Sequence, residues 1–270
     1  MTAAGATAEA DALARQLCAK MGVAVDGPIG RRLLSTCRGA PAATLMAARL
    51  ALGASGTHPD LRPFYDAATN RETYLFRDRR QLRGVERLLA SRDPGLVTRL
   101  WSAGCATGEE AYSLAILAHR ALPGAAVSVL GTDISASALE EAAAGAYRTG
   151  PLSACRDIAP DEALWLPASG DGARRTVAPA IRRLVRFAPH NLLDGPPGRE
   201  RYDIVLCRNV ILYMTEAGRR RALAVLAEAT APGGHLLLGT GDCSDPSIPV
   251  DAGFAPVEIE GVTLFRRTPT

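Results

Sequence analysis

Between residues 99 and 118 the chain passes from an apolar run to a turn of small residues and then to helical spacing. Leu100 and Trp101 are typical of the end of a buried strand, and small residues occupy positions 102–108. The residues that then recur on one apolar helix face are Tyr112, Leu114, Ala115, Leu117 and Ala118. Strand, glycine turn and helix in this order predict the nucleotide-sized crevice of a doubly wound α/β protein.

The pattern divides the chain into two predicted domains. Residues 1–66 show helical spacing, with an apolar stripe at Leu13, Leu17 and Met21, and predict a small helical domain. Residues 67–270 predict the α/β domain. Within it, the segment 150–186 interrupts the alternation of strands and helices with four prolines and a Ser-Gly-Asp-Gly turn, and we expect residues 177–187 to be extended.

The turn and a later acid together indicate which nucleotide the crevice binds. Gly104 and Gly108 form a G-x-x-x-G pattern without a following lysine, which provides poorly for a pyrophosphate. Glu109, at the start of the helix, would repel phosphate and suits a ligand with an ammonium group or hydroxyls. Asp133 ends the next apolar run, where an acid can accept hydrogen bonds from ribose hydroxyls. S-adenosylmethionine (SAM), which has adenosine, no phosphate and a cationic amino-acid end, fits these features.

Composition excludes several other classes of protein. The 270 residues carry a net charge of +3, which is too small to indicate nucleic-acid binding. The six cysteines and four histidines lack the spacing of a metal site, so we expect no metal. No apolar run reaches the ~18 residues that span a bilayer. We therefore expect a cytoplasmic protein with reduced cysteines, no membrane insertion and a monomeric state.

The turn W-S-A-G-C-A-T-G-E-E closely resembles that of the CheR-type methyltransferases, which methylate glutamates on bacterial chemotaxis receptors. Three further stretches match in the same order: Thr69-Asn-Arg-Glu-Thr-Tyr-Leu-Phe-Arg77, Gly131-Thr-Asp-Ile134 and Cys207-Arg-Asn-Val-Ile-Leu-Tyr213. The resemblance implies a class I SAM-dependent methyltransferase with a seven-stranded doubly wound sheet. It also implies the small N-terminal helical domain and a small β subdomain inserted at residues 150–186. The tail 257–266 is expected to be the last strand, running antiparallel.

The resemblance also assigns roles to individual residues. The cofactor contacts that it implies are Thr73, Arg77, Gly104, Glu109, Asp133, Asn191, Leu192, Arg208 and Asn209. Tyr213 matches a tyrosine placed near the transferred methyl group, which makes it the catalytic candidate. The chain departs from the family at Arg71, which occupies an asparagine position while Asn70 is displaced by one residue. Asp242 stands where the family often has a glutamate.

The implied reaction is methylation of glutamate carboxylates on a chemotaxis-type receptor, with S-adenosylhomocysteine (SAH) as the second product. An acidic helical segment of that receptor would dock on Arg31, Arg32 and Arg38, although an ordinary solvated helix face explains these residues equally well. Two alternatives remain. The acceptor could be another protein or a small acid, or the chain could be a non-catalytic SAM-sensing module. The sequence does not decide whether the β subdomain binds a tethering peptide.

Overall fold

The structure, a computed structural model, describes residues 3–53, 57–243 and 247–269. The two predicted domains also include residues outside the described ones, namely 1, 2, 54–56, 244–246 and 270.

The N-terminal part of the chain is helical, as predicted. Its helices are α1 (Ala3–Met21), α2 (Pro28–Gly39), α3 (Ala42–Ala51) and α4 (Arg62–Ala68). The predicted stripe Leu13, Leu17 and Met21 lies in one core with apolar residues of all four helices. Helix α4 crosses the predicted boundary at residue 66, and Ala68 is still part of this core. We refer to α1–α4 as the helical region.

The rest of the chain forms strands and helices in alternation. The strands are β1 (Thr98–Ala103), β2 (Val127–Asp133), β3 (Ala146–Arg148), β4 (Arg174–Thr176), β5 (Val185–Pro189), β6 (Tyr202–Cys207), β7 (Thr230–Leu238), β8 (Phe254–Ile259) and β9 (Val262–Arg267). The helices are α5 (Arg79–Ala90), α6 (Glu109–Ala121), α7 (Ala136–Ala144), α8 (Pro179–Arg182), α9 (Glu216–Ala229) and α10 (Ser247–Asp251). No helix of the described residues is long and apolar enough to cross a membrane.

Seven strands form one sheet in the order β5-β2-β1-β6-β7-β9-β8, in which only β9 runs antiparallel to its two neighbours. This is the predicted class I methyltransferase sheet. From β1 the chain builds outward through β2 to β5 and then returns to the other side of β1 as β6. The strand order therefore reverses between β1 and β6, and ligands of open α/β sheets bind at the carboxyl ends of strands beside such a reversal.

Successive side chains of the central strands enter different cores, because they point to opposite faces of the sheet. Leu100 packs with residues of α5 and α6 on one face, whereas Trp101 packs with residues of α9 on the other. Ile204 and Val205 of β6 divide in the same way. Both faces of the central strands are thus covered, which explains their nearly continuous apolar runs.

The predicted last strand, 257–266, is instead a hairpin of β8 and β9. Ile259 pairs with Val262, and the two residues between them, Glu260 and Gly261, have φ angles of 54° and 69°. Two consecutive residues with positive φ form the type I′ turn that matches the twist of paired strands. The prediction of one continuous strand was wrong because Glu260 gives little sign of this conformation.

The segment 150–186 is only sparsely β-structured. Strand β4 lies inside it and pairs with β3, which precedes it, to form a two-stranded sheet. The prediction that residues 177–187 are extended was wrong in part. Helix α8 occupies 179–182, with Pro179 at its first position, and β5 of the main sheet begins at Val185. Proline is well tolerated at that helix position.

Candidate functional site

A cleft opens at the carboxyl ends of β1, β2 and β6, beside the reversal of strand order. The predicted site residues that line it are Gly104, Asp133, Asn191, Leu192, Asn209 and Tyr213. Met21, Val23 and Ile29 of the helical region line it as well. No lysine or arginine of the described chain lines this cleft, and Asp133 is the one carboxylate among its lining residues.

The glycine turn reaches the cleft because it lies directly against neighbouring strand ends. Gly104 has a φ of 79°, and its N–H donates to the Thr132 carbonyl over 2.7 Å. A Cβ on Gly104 would lie 2.4 Å from Cγ2 of Val210, so no other residue fits without moving Val210 in the loop after β6. Gly104 also lines the cleft, so its backbone borders the space that a ligand would occupy.

Asp133 binds the same turn from the side of β2. Its Oδ2 accepts a hydrogen bond from Ala106 N at 2.9 Å, and its Oδ1 accepts one from Ser135 N at 2.8 Å. Burial raises the pKa of Asp133, and these backbone donors oppose that rise. The carboxylate therefore stabilises the glycine turn by a hydrogen bond and also lines the cleft.

The side-chain amide of Asn191 is bonded within the protein. Its Nδ2 donates to the Lys20 carbonyl at 2.9 Å and to Oδ1 of Asp194 at 3.1 Å, and its Oδ1 accepts from Leu193 N at 3.2 Å. The side chain thus holds the turn that presents Leu192 to the cleft. A bond from this amide to an adenine remains a prediction, and it would have to replace one of these contacts.

Asp242 organises the loop that follows β6. Its Oδ2 accepts from the N–H groups of Asn209 and Gly239, and its Oδ1 accepts from those of Val210 (3.0 Å) and Leu212 (2.9 Å). This buried carboxylate stabilises Asn209 in the left-handed region, at a φ of 60°. Asp242 stands where the family often has a glutamate, and the structure places it beneath this loop.

Tyr213 ends the short 3-10 helix that this loop forms. Its hydroxyl accepts a long hydrogen bond, 3.5 Å, from Nδ2 of Asn70, and its ring packs against the core of the helical region. Asn70 lines the cleft, and Arg71 instead bonds Glu141 and Ser137 on the side of α7. The displacement of the family asparagine by one residue therefore still leaves an amide in the cleft.

Four predicted contact residues, Thr73, Arg77, Glu109 and Arg208, do not line this cleft. Arg208 is buried and forms an ion pair with Glu110, with Nε 2.8 Å from Oε2. Its Nη1 donates to the Arg77 carbonyl at 2.8 Å. A buried guanidinium requires such partners, so Arg208 holds the segment that begins at Asn70 rather than facing the cleft.

Glu109 lies beside a separate groove. It is 3% exposed, its Oε2 accepts from the Thr107 hydroxyl at 2.7 Å, and it lines a groove next to Tyr147. Burial raises the pKa of Glu109 to about 7. The carboxyl group is therefore partly protonated near neutral pH, which weakens it as a fixed counter-charge for an ammonium group.

We expect Glu109→Gln to change how stability depends on pH. The folded protein holds a proton on Glu109 that the unfolded chain releases at a lower pH, so the free energy of unfolding falls as pH rises from about 4.5 to 7. Urea unfolding at pH 5 and pH 8 should show a smaller decrease for the variant, by at most about 3 kcal/mol. Exposed Glu140→Gln is the control, and equal decreases in wild type and Glu109→Gln would contradict the assignment.

Some residues that line the cleft were not predicted from the sequence. His190, which precedes Asn191, lines the cleft, and its Nε2 lies 2.8 Å from the Gly195 carbonyl oxygen. Burial lowers the pKa of His190, which favours the neutral form of its ring. Met21, Val23 and Ile29 could not be predicted from their spacing, because apolar residues at the ends of helices usually belong to a local core.

The described residues hold no cluster of three or more metal-binding side chains.

Sequence comparison identifies a family and relatives of this chain. Residues 71–247 match the family model described as "CheR methyltransferase, SAM binding domain". A chemotaxis protein methyltransferase of Vibrio parahaemolyticus is 36% identical over 188 residues, which are 66% of this chain and 66% of that protein. Chemotaxis protein methyltransferase 1 of Vibrio cholerae is 34% identical over 200 residues, 70% of each chain.

The alignments thus span about two thirds of the relatives' lengths, and the family model covers most of the α/β part of the chain. The cleft fits the cofactor, because its acid and apolar walls suit adenosine and it lacks the cations that a pyrophosphate needs. The chain therefore belongs to the CheR methyltransferase family, and residues 71–247 are its SAM-binding domain.

Proposed function

We propose that this protein transfers the methyl group of SAM to glutamate side chains in the cytoplasmic part of a bacterial chemotaxis-type receptor. The observation that carries the proposal is the cleft at the strand reversal, which combines Asp133, apolar walls and Tyr213 without a lining lysine or arginine. The names of the Vibrio relatives support the same substrate class.

Within this proposal, Asp133 would hold the ribose hydroxyls, Leu192 would cover the adenine, and the turn at Gly104 would approach the amino-acid end. Bound SAM would supply an electrophilic methyl group on a sulfonium centre. Thr73 and Arg77 remain proposed contacts of the cofactor, although Arg77 Nη1 donates to the Glu72 carbonyl at 3.0 Å in this structure. They lie on the segment that Arg208 anchors, so a small movement of that segment would be needed for contact.

The acceptor needs no general base in this mechanism. A glutamate carboxylate, with a pKa of ~4.3, is already ionised at neutral pH. His190, which lines the cleft with Nε2 2.8 Å from the Gly195 carbonyl oxygen, is not required as a base, because an ionised acceptor carries no proton to be removed. The contribution of the protein is therefore alignment in a site that excludes water, and in this proposal Tyr213, which lines the cleft, orients the carboxylate.

Two of the three arginines of the predicted docking surface are already bonded within the protein. Arg32 Nε donates to the Ala68 carbonyl at 2.7 Å, and Arg38 forms a bidentate pair with Asp11 at 2.7 and 2.8 Å. These guanidinium groups would have to exchange partners to bind an acidic helix. This observation favours, as a second candidate, a methyltransferase of the same chemistry that acts on another protein or a small acid and docks it elsewhere.

The decisive experiment is transfer of an isotope-labelled methyl group from SAM into a purified receptor cytoplasmic fragment, followed by mapping of the modified residues. The proposal requires label on glutamates, and a matched fragment with those glutamates changed to glutamine should stay unlabelled. Label only on other proteins in the same assay would support the second candidate. Tight SAM binding with no transfer to any acceptor would favour the sensing module.

Asp133→Ala should weaken SAM and SAH binding by about 10- to 150-fold. The reason is that loss of a charged hydrogen-bond acceptor costs ~1.5–3 kcal/mol of binding free energy. The variant also removes the acceptor of the Ala106 N–H group in the glycine turn. Isothermal calorimetry measures the change, with exposed Glu140→Ala as the control. An unchanged dissociation constant in Asp133→Ala would refute the ribose assignment.

Tyr213→Phe should lower turnover on the order of tenfold, ~1.4 kcal/mol in barrier, with thermal stability and SAM affinity close to wild type. Only the hydroxyl is lost, so the ring still packs on the helical region. Tyr65→Phe is the matched control, because the buried Tyr65 hydroxyl has no hydrogen-bond partner among the described residues. Full turnover in Tyr213→Phe would exclude a role of the hydroxyl.

A further inference from the structure

The connection between α1 and α2 lies against the start of α9 at a contact of two glycines. A Cβ on Gly218, in the first turn of α9, would lie 2.5 Å from the carbonyl oxygen of Gly22 and 3.1 Å from its Cα. A Cβ on Gly22 would lie 3.0 Å from Cα of Gly218 and 2.7 Å from Cδ1 of Leu193. Gly22 also has a φ of 66°. The two backbones therefore touch with no room for a side chain on either.

Hydrogen bonds join the same segments on both sides of the glycine contact. Thr215 N donates to the Gly22 carbonyl at 2.8 Å, and Val23 forms an isolated β-bridge with Met214. On the other side, the Asn191 amide donates to the Lys20 carbonyl. The end of α1 is thus bonded to the residue before Leu192 and to the two residues after Tyr213.

A second contact holds the helical region beside the proposed ribose site. Asp66 of α4 accepts a hydrogen bond from the Ser135 hydroxyl at 2.7 Å and from Ser137 N at 3.3 Å. Ser135 in turn donates its N–H to Asp133. The cleft lies between these two attachments, and Met21, Val23 and Ile29 line it. All of these helical residues precede residue 71, where the family match begins.

We propose that the helical region is a wall of the cofactor site and that Gly22 and Gly218 are positioning residues that set the width of the cleft. A side chain at this contact would move Val23 away from Met214 and would loosen the loop that ends at Tyr213. The proposal rests on the cleft being the SAM site and needs no methyl acceptor, so it can be tested by binding alone.

The test compares Gly218→Ala with Gly39→Ala. Both glycines are helical, and alanine normally favours a helix, but a Cβ on Gly39 would meet nothing within 4 Å. Calorimetry with SAH should show a dissociation constant at least tenfold larger for Gly218→Ala and unchanged for Gly39→Ala. Circular dichroism should confirm that both variants are folded. A folded Gly218→Ala protein that binds SAH as wild type does would overturn the proposal, whether or not its melting temperature falls.

Hydrogen exchange in the wild-type protein provides an independent measurement in case Gly218→Ala does not fold. SAH should slow amide exchange in residues 21–29 together with residues 213–218, and the solvated end of α2 near Gly39 should not change. Protection limited to residues after 70 would contradict the role of the helical region. A wild-type protein that does not bind SAH would refute the cofactor site and this proposal with it, whereas failure to methylate a receptor would affect only the proposed function.

Discussion

The loops at the carboxyl edge of the sheet depend on buried carboxylates that accept hydrogen bonds from their backbone N–H groups. A backbone N–H group buried away from water destabilises the fold unless it is bonded. Asp242 accepts from four such groups in the loops after β6 and β7, and Asp133 accepts from two around the glycine turn. Glu110 serves the same edge by pairing with Arg208. Removal of one of these acids would leave such N–H groups without their acceptor and would destabilise the loops beside the cleft.

Not every charged residue in the motifs contacts the ligand. A carboxylate at a strand end suggests a ligand contact, and Asp133 does line the cleft. Arg208 and Glu110, however, satisfy one another inside the protein, and the guanidinium also reaches the Arg77 carbonyl. The pair therefore connects the start of α6, the end of β6 and the segment that begins at Asn70.

The cleft that results is nearly uncharged apart from Asp133 and is bounded by two parts of the chain. Strand ends supply its polar groups, and the helical region supplies apolar side chains on the opposite side. Such a site favours a ligand with hydroxyls and a flat base over one with phosphates. It also suits a reaction in which a cation and a carboxylate neutralise each other, because exclusion of water helps that step.

The sequence by itself determined most of the order of strands and helices, the glycine turn and the family, but not α8 or the β8–β9 hairpin. Periodicity and turn residues are local, and four ordered motifs are specific. It did not determine which motif residues face the cleft, because the side chains involved are oriented by partners far away in the chain. Asn191 is bonded to a residue 171 positions away, Tyr213 to one 143 positions away and Arg208 to one 98 positions away. Only the tertiary structure brings these pairs together, since each bond forms between segments that no local pattern relates.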